Sequence, residues 1–100
     1  MENNNIIHLL ATWEVQEGQM ARVLGFLRTV KSESLKESGN LFYTIQRSNS
    51  NSNTLILFEG YKSAKAIEEH RNTTHFKELV LGSIVPLLSN REIVLATPIE

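Results

Sequence analysis

Two neighbouring segments, residues 41–47 and 54–61, are rich in aromatic and branched apolar residues, and only the run Ser48-Asn49-Ser50-Asn51-Ser52-Asn53 separates them. Leu41, Phe42, Tyr43 and Ile45, then Leu55, Ile56, Leu57 and Phe58, include consecutive positions. Successive side chains of a strand point to opposite faces of its sheet. Aromatic and branched residues favour strands, and a short polar run favours a turn. The two segments read as a hairpin in a sheet that is covered on both faces. The rest of the chain must then supply each cover.

Residues 6–15 read as a further strand. Ile7, Leu9, Ala11, Trp13 and Val15 share one face, and Ile6, His8, Leu10, Thr12 and Glu14 share a second, mixed one. Glu17-Gly18 breaks the strand. From residue 19 to about residue 36, Met20, Val23, Leu24, Leu27, Val30 and Leu35 form one helical stripe. Gly39-Asn40 is expected to end that helix, because both residues tolerate the left-handed conformation. Ser63 is a candidate N-cap for a second helical region. That region carries Ala64, Ile67 and His70, breaks or re-caps at Asn72-Thr73-Thr74, and continues through Phe76, Leu79, Val80, Ile84 and Leu87. Pro86 ends it, and residues 92–97 form the last strand, stopped by Pro98.

The order is β-α-β-β-α-β, an α+β chain of the ferredoxin-like type. Right-handed crossovers place both helices on one face of a four-stranded antiparallel sheet. The other apolar face needs a partner, and a homodimer packed sheet on sheet is the economical one.

Composition narrows the function. One hundred residues make one domain, residues 1–100. Ten Lys and Arg against eleven Asp and Glu leave a net charge of −1, without the basic excess of a nucleic-acid-binding domain. The aromatic, basic strand signature of an RNA-recognition module is also missing. With no Cys, thiolate nucleophiles, disulfides and Cys-ligated metals are excluded, and the chain suits a reducing cytoplasm. Met1-Glu2-Asn3-Asn4-Asn5 has no positive charge to open a signal peptide. The apolar stretch after it is interrupted by His8, Thr12 and Glu14, so no membrane partner is expected.

Three segments in order are similar to the antibiotic biosynthesis monooxygenase family. Glu37-Ser38-Gly39-Asn40-Leu41-Phe42-Tyr43 resembles the family's Glu-Pro-Gly-x-Leu-x-Tyr turn into the second strand. Phe58-Glu59-Gly60-Tyr61 resembles its Glu-x-Trp at the end of the third strand. Residues 66–76 resemble its Ala-x-x-x-His-x-x-(Ser/Thr)-x-His-Phe. The resemblance implies a small dimeric α+β barrel that works without a cofactor. Ser38 stands for the usual Pro and Tyr61 for the usual Trp. Haem-degrading relatives carry an iron-ligating His where this chain has Val80, and their haem-ruffling Trp falls at His70. The resemblance therefore points away from that branch.

Against this frame three residues are candidates for chemistry. His8, on the mixed face, is either a proton shuttle or a hydrogen-bonded structural histidine. Glu59 is the one acid in an apolar strand, and burial raises a carboxyl pKa; it acts as a base or orients His70 or an Arg. His70 lies in line with Ile67 on the apolar side of its helix, and a Glu59–His70 pair is expected. Tyr43, Tyr61, Thr12 and Phe76 are the expected substrate contacts, with Trp13 and Phe42 available for stacking. His75 is expected to be exposed or a polar residue at a helix start rather than catalytic. His70 and His75 are five residues apart, which does not put both imidazoles on one face of a regular helix, so no metal site is expected.

The resemblance implies a cofactor-independent monooxygenase acting on a small aromatic or quinol-like molecule. Two alternatives remain. One is an isomerase of a small phosphorylated compound, with Arg47 or Arg71 for the phosphate. The other is a non-enzymatic, dimeric ligand-binding barrel. An Arg in the cavity lining would favour the phosphate reading.

Overall fold

The computed structural model describes residues 5–99, and its order is the one the hydropathy pattern predicts. Strand β1 (Ile7–Val15) leads into helix α1 (Met20–Ser34). Strands β2 (Asn40–Arg47) and β3 (Thr54–Tyr61) form the hairpin. Helices α2 (Ala64–Arg71) and α3 (His75–Ile84) follow, and a short 3-10 turn at Val85–Leu87 leads to strand β4 (Leu88–Ala96). The sheet is antiparallel with order β2-β3-β1-β4. No described helix is long and apolar enough to cross a membrane.

Alternation along the strands creates two unlike faces. Leu9, Ala11, Trp13 and Val15 of β1 and Leu55, Leu57 and Tyr61 of β3 are buried beneath Val23, Leu27 and Val30 of α1, Ile67 of α2, and Val80 and Ile84 of α3. The even-numbered residues of β1, β2 and β3 form the face without helices. There the His8 ring packs edge-on between Phe42 and Phe58, while Leu10, Ile56 and Val94 of β4 remain exposed.

Local chemistry sets the ends of the elements. Gly18, at φ +82°, turns the chain between β1 and α1, and Ser63 accepts the Ala66 N–H to cap α2. The Thr73 hydroxyl donates to the His70 carbonyl and accepts the Phe76 N–H, so it closes α2 and opens α3. Helix α3 is wound as a π-helix over ten residues, a form that is rare at such length.

Two sequence expectations are corrected. Helix α1 does not end through a left-handed Gly39; α1 stops at Ser34, and the only described positive φ belongs to Gly18. Gly39 is instead a point of close approach, where a Cβ would collide with the Ala66 Cβ. Strand β4 begins at Leu88 rather than residue 92. Leu88 to Asn90 pair with Val15 and Glu14 across a bulge, so backbone pairing extends the strand through residues whose side chains read as a loop.

Candidate active site

A cleft opens between the helical face of the sheet and the α2–α3 junction. Strand β1 contributes Leu9, Ala11 and Trp13. Strand β4 contributes Arg91 and Ile93, which lie opposite Trp13 and Ala11. Tyr43 and Glu59 face each other across β2 and β3. His70, Arg71, Phe76 and Val80 form the helical wall. The volume is about 410 Å³ counting the open mouth, while the enclosed part has room for only a few water molecules.

Glu59 is 4% exposed, and its Oε1 accepts the Tyr61 hydroxyl at 2.6 Å. Burial pushes its carboxyl up to about 7. The Tyr61 hydrogen bond pulls the other way but does not offset the burial, and the Glu37 charge adds to the rise. Glu59 is therefore poised to hold or release a proton near neutrality. Burial, then the Glu59 charge, pushes the Tyr61 and Tyr43 hydroxyls up, so both stay protonated.

His70 sits within aromatic neighbours, with its ring centre 5.2 Å from those of both Tyr61 and Phe76. Its Nδ1 lies 2.8 Å from Glu37 Oε2, and His75 Nε2 lies 2.6 Å from the same oxygen. A carboxylate only accepts, so both nitrogens carry protons in this arrangement. Burial lowers the His70 pKa against the opposing pull of Glu37, which keeps the ring neutral at pH 7. A neutral imidazole with its proton on Nδ1 has a lone pair on Nε2, at the opposite edge of the ring. The buried Trp13 Nε1 has no hydrogen-bond partner among the described residues, although indole N–H groups in protein interiors are normally paired.

The antibiotic biosynthesis monooxygenase sequence profile matches residues 6–80, three quarters of the chain. The chain belongs to this family. No curated protein matches it in sequence. In structure it is similar to a candidate antibiotic biosynthesis monooxygenase from Nitrosomonas europaea, with TM-score 0.91 and 18% identity over 99% of this chain and 95% of that one. A Pseudomonas aeruginosa protein aligns over 100% of both chains with TM-score 0.90 and 24% identity. A conserved Methanosarcina mazei protein aligns over 95% of this chain and 94% of its own, with TM-score 0.89 and 22% identity. At these identities the structural likeness is one of fold.

In this family member the sequence-predicted residues divide between the two faces of the sheet. Glu59, His70, Tyr43 and Phe76 meet in the cleft. His8 and Thr12 do not join them. Both are even-numbered residues of β1 and lie on the face without helices, so the strand's two-residue period puts the sheet between them and the cleft. Tyr61 is fully buried behind Glu59 as its hydrogen-bond donor and is not part of the lining. The expected Glu59–His70 pair is replaced by two separate pairs, Glu59 with Tyr61 and His70 with Glu37.

His75 opens α3, as expected of a helix-start polar residue, but it is turned to Glu37 rather than exposed. The i, i+5 argument assumed one regular helix, but the chain breaks at residues 72–74 and restarts as a π-helix, which turns His75 toward Glu37. Sequence reasoning missed three residues. Glu37 carried a signal, because it opens the first family-like segment. Arg91 and Ile93 alternate on β4 opposite Trp13 and Ala11, and only the strand register reveals that they reach the cleft. Of the two arginines considered for a phosphate, Arg71 lines the cleft and Arg47 does not.

Proposed function

We propose that this family member is a cofactor-independent monooxygenase that oxidises a small phenolic, hydroquinone or anthrone-like molecule in the cleft of Glu59 and His70. The observation that carries the reading is the meeting, in one mostly apolar cleft, of a neutral His70, a Glu59 carboxyl titrating near neutrality and a buried, unpartnered Trp13 N–H. The family membership supports a monooxygenase-like role.

The chemistry asks for little more. His70 Nε2 takes a proton from the substrate, and the resulting anion is electron-rich enough to reduce O2 itself. Trp13 Nε1–H donates to the substrate oxygen on which negative charge collects. For an anthrone-type CH2 group, the carbanion transfers electrons to O2 and a C–O bond forms. The peroxide anion takes back the proton held by His70. His70 Nε2 then removes the remaining C–H proton as the O–O bond breaks, Glu59 protonates the leaving oxygen so that it departs as water, and the His70 proton returns to Glu59. The balance is CH2 + O2 → C=O + H2O, with four electrons passing from carbon to oxygen. The test is oxygen consumption over a panel of hydroquinones and anthrones, without added flavin or metal. Turnover should fall roughly 10²–10⁴-fold in His70→Ala. A panel with no turnover at any pH overturns the reading.

Arg71 and Arg91 favour a second reading, because cations in the lining suit an anionic ligand. On that reading the chain isomerises or binds a small phosphorylated compound. Saturable binding of phosphosugars, with no oxygen consumed, would select it. We also propose that the functional unit is a homodimer packed through the helix-free sheet face.

A further inference from the structure

Glu37, His70 and His75 form a cluster whose donor atoms suit more than a hydrogen-bond network. The three residues come from the α1–β2 loop, the last turn of α2 and the first residue of α3. Their ligating atoms, Glu37 Oε2, His70 Nδ1 and His75 Nε2, all lie within 4.8 Å of one another. Two imidazoles and one carboxylate are a donor set that first-row divalent ions favour. Around a four-coordinate ion with bonds of about 2.0–2.1 Å, neighbouring donors stand about 3.4 Å apart. The N–O separations here are 2.8 and 2.6 Å, so small side-chain rotations open the cluster enough to admit an ion.

The cluster also has an entrance. His75 lines a shallow surface groove with Thr29, Glu33, Thr74, Glu78 and Leu79. Glu33 and Glu78 border that groove; Lys36 pairs with Glu33 at 3.0 Å, so Glu78 is the carboxylate that draws cations toward His75.

We propose that Glu37, His70 and His75 bind a first-row divalent transition ion, such as Zn2+ or Co2+, entering through the Glu33–Glu78 groove. The site has a consequence that rests on the proton-acceptor role of His70 given above. A neutral imidazole ligated through Nδ1 carries its proton on Nε2. The bound ion therefore removes the lone pair that faces the substrate and reversibly inhibits the oxidation.

The chelator-stripped protein is titrated with Co2+, followed by its visible d–d absorption, and with Zn2+, followed by calorimetry. One ion per chain is expected. Glu37→Gln and His75→Ala should each weaken binding at least about tenfold, and His8→Ala, on the other sheet face, should leave it unchanged. Absence of saturable binding at micromolar ion, or equal binding by His75→Ala, overturns the site. If either variant fails to fold, zinc-edge X-ray absorption of the unaltered protein decides. Two imidazoles in the first shell uphold the site, and none overturns it. Zn2+ should abolish oxygen consumption and a chelator restore it. Stoichiometric binding without inhibition upholds the site and overturns the role of His70 as proton acceptor.

Discussion

Tyr61 and Glu59 project from the same face of β3, and the Tyr61 hydroxyl donates to Glu59 Oε1 across 2.6 Å with both side chains buried. The bond stabilises the ionised carboxylate against the burial that opposes it, and so places the titration of Glu59 near 7 rather than higher. A tyrosine two residues beyond an acid is thus a setting for that acid as well as a part of the core.

Removing the donor should move the acid. Tyr61→Phe deletes one oxygen and keeps the ring, so packing changes little. The Glu59 carboxylate loses its stabilising donor, and its pKa should rise further above 7. Carbon-detected NMR titration of the Glu side chains reads this directly. An unchanged Glu59 titration in Tyr61→Phe would show that the bond contributes nothing to the poise.

Stability should carry the same signature. Glu59 holds its proton up to about 7 in the folded chain but only up to 4.5 in an unfolded one. The folded state therefore binds more protons between those values, and stability falls as pH rises through them. The loss amounts to roughly 3 kcal/mol above pH 7. His70 acts in the opposite direction below its ordinary value of 6.5, because its folded pKa is lowered and acid favours the unfolded chain. Glu37 and Arg71 also act on Glu59, and the Tyr43 and Tyr61 hydroxyls, pushed up by burial, stay neutral in this window. Urea unfolding at fixed protein concentration should give a wild-type minus Glu59→Gln difference that declines with pH across this range. A flat difference would mean that Glu59 is ionised when folded.

How much of this was legible in the sequence follows from the physics of each element. The element order was legible because helices carry a stripe with a period of about 3.6 residues, one face of β1 alternates cleanly, and β2 and β3 are short aromatic and branched runs joined by a polar turn. Strand β4 was half-hidden, because Leu88 and Asn90 pair with β1 around a bulge at Ser89, and backbone pairing rather than side-chain preference gives this stretch its strand form. His70 and Glu59 stood out as polar residues on apolar faces. The side on which His8 and Thr12 fall was not legible, because Ile6, His8, Leu10, Thr12 and Glu14 mix apolar and polar residues. The Glu37–His70–His75 cluster needed the chain break at residues 72–74 and the π-winding of α3, and no side-chain pattern encodes the winding of a helix.

Gly39 offers a purely steric test. Its backbone has no left-handed φ, so alanine meets no conformational barrier there. The added Cβ nevertheless collides with Ala66 Cβ. Gly39→Ala should destabilise the fold by about 1–3 kcal/mol, and Gly39→Ala with Ala66→Gly should recover part of that loss. Chemical denaturation of both variants measures it. Additive effects would show that the two positions do not touch.

The helix-free face should join two copies. Leu10, Ile56 and Val94 are exposed there around the packed rings of Phe42, Phe58 and His8. Leu10→Glu would bury an unpaired charge in such an interface, so it should shift the mass in light scattering from about twice 11.3 kDa to 11.3 kDa. A wild-type chain that is already a monomer at micromolar concentration sinks the dimer.

Trp13 separates function from stability most sharply. Its ring is 4% exposed, it lines the cleft, and its N–H has no partner among the described residues. An unpaired buried donor costs the folded state about 1–3 kcal/mol. Trp13→Phe removes that donor along with part of the ring, and the gain and the lost packing should leave stability within about 1 kcal/mol. If the N–H donates to a substrate oxygen, kcat/KM should still fall roughly tenfold, the equivalent of about 1.4 kcal/mol. Stability and kcat/KM are measured on the same preparations. A Trp13→Phe variant that keeps full kcat/KM would remove Trp13 from the chemistry and leave it a core residue with an unmet hydrogen bond.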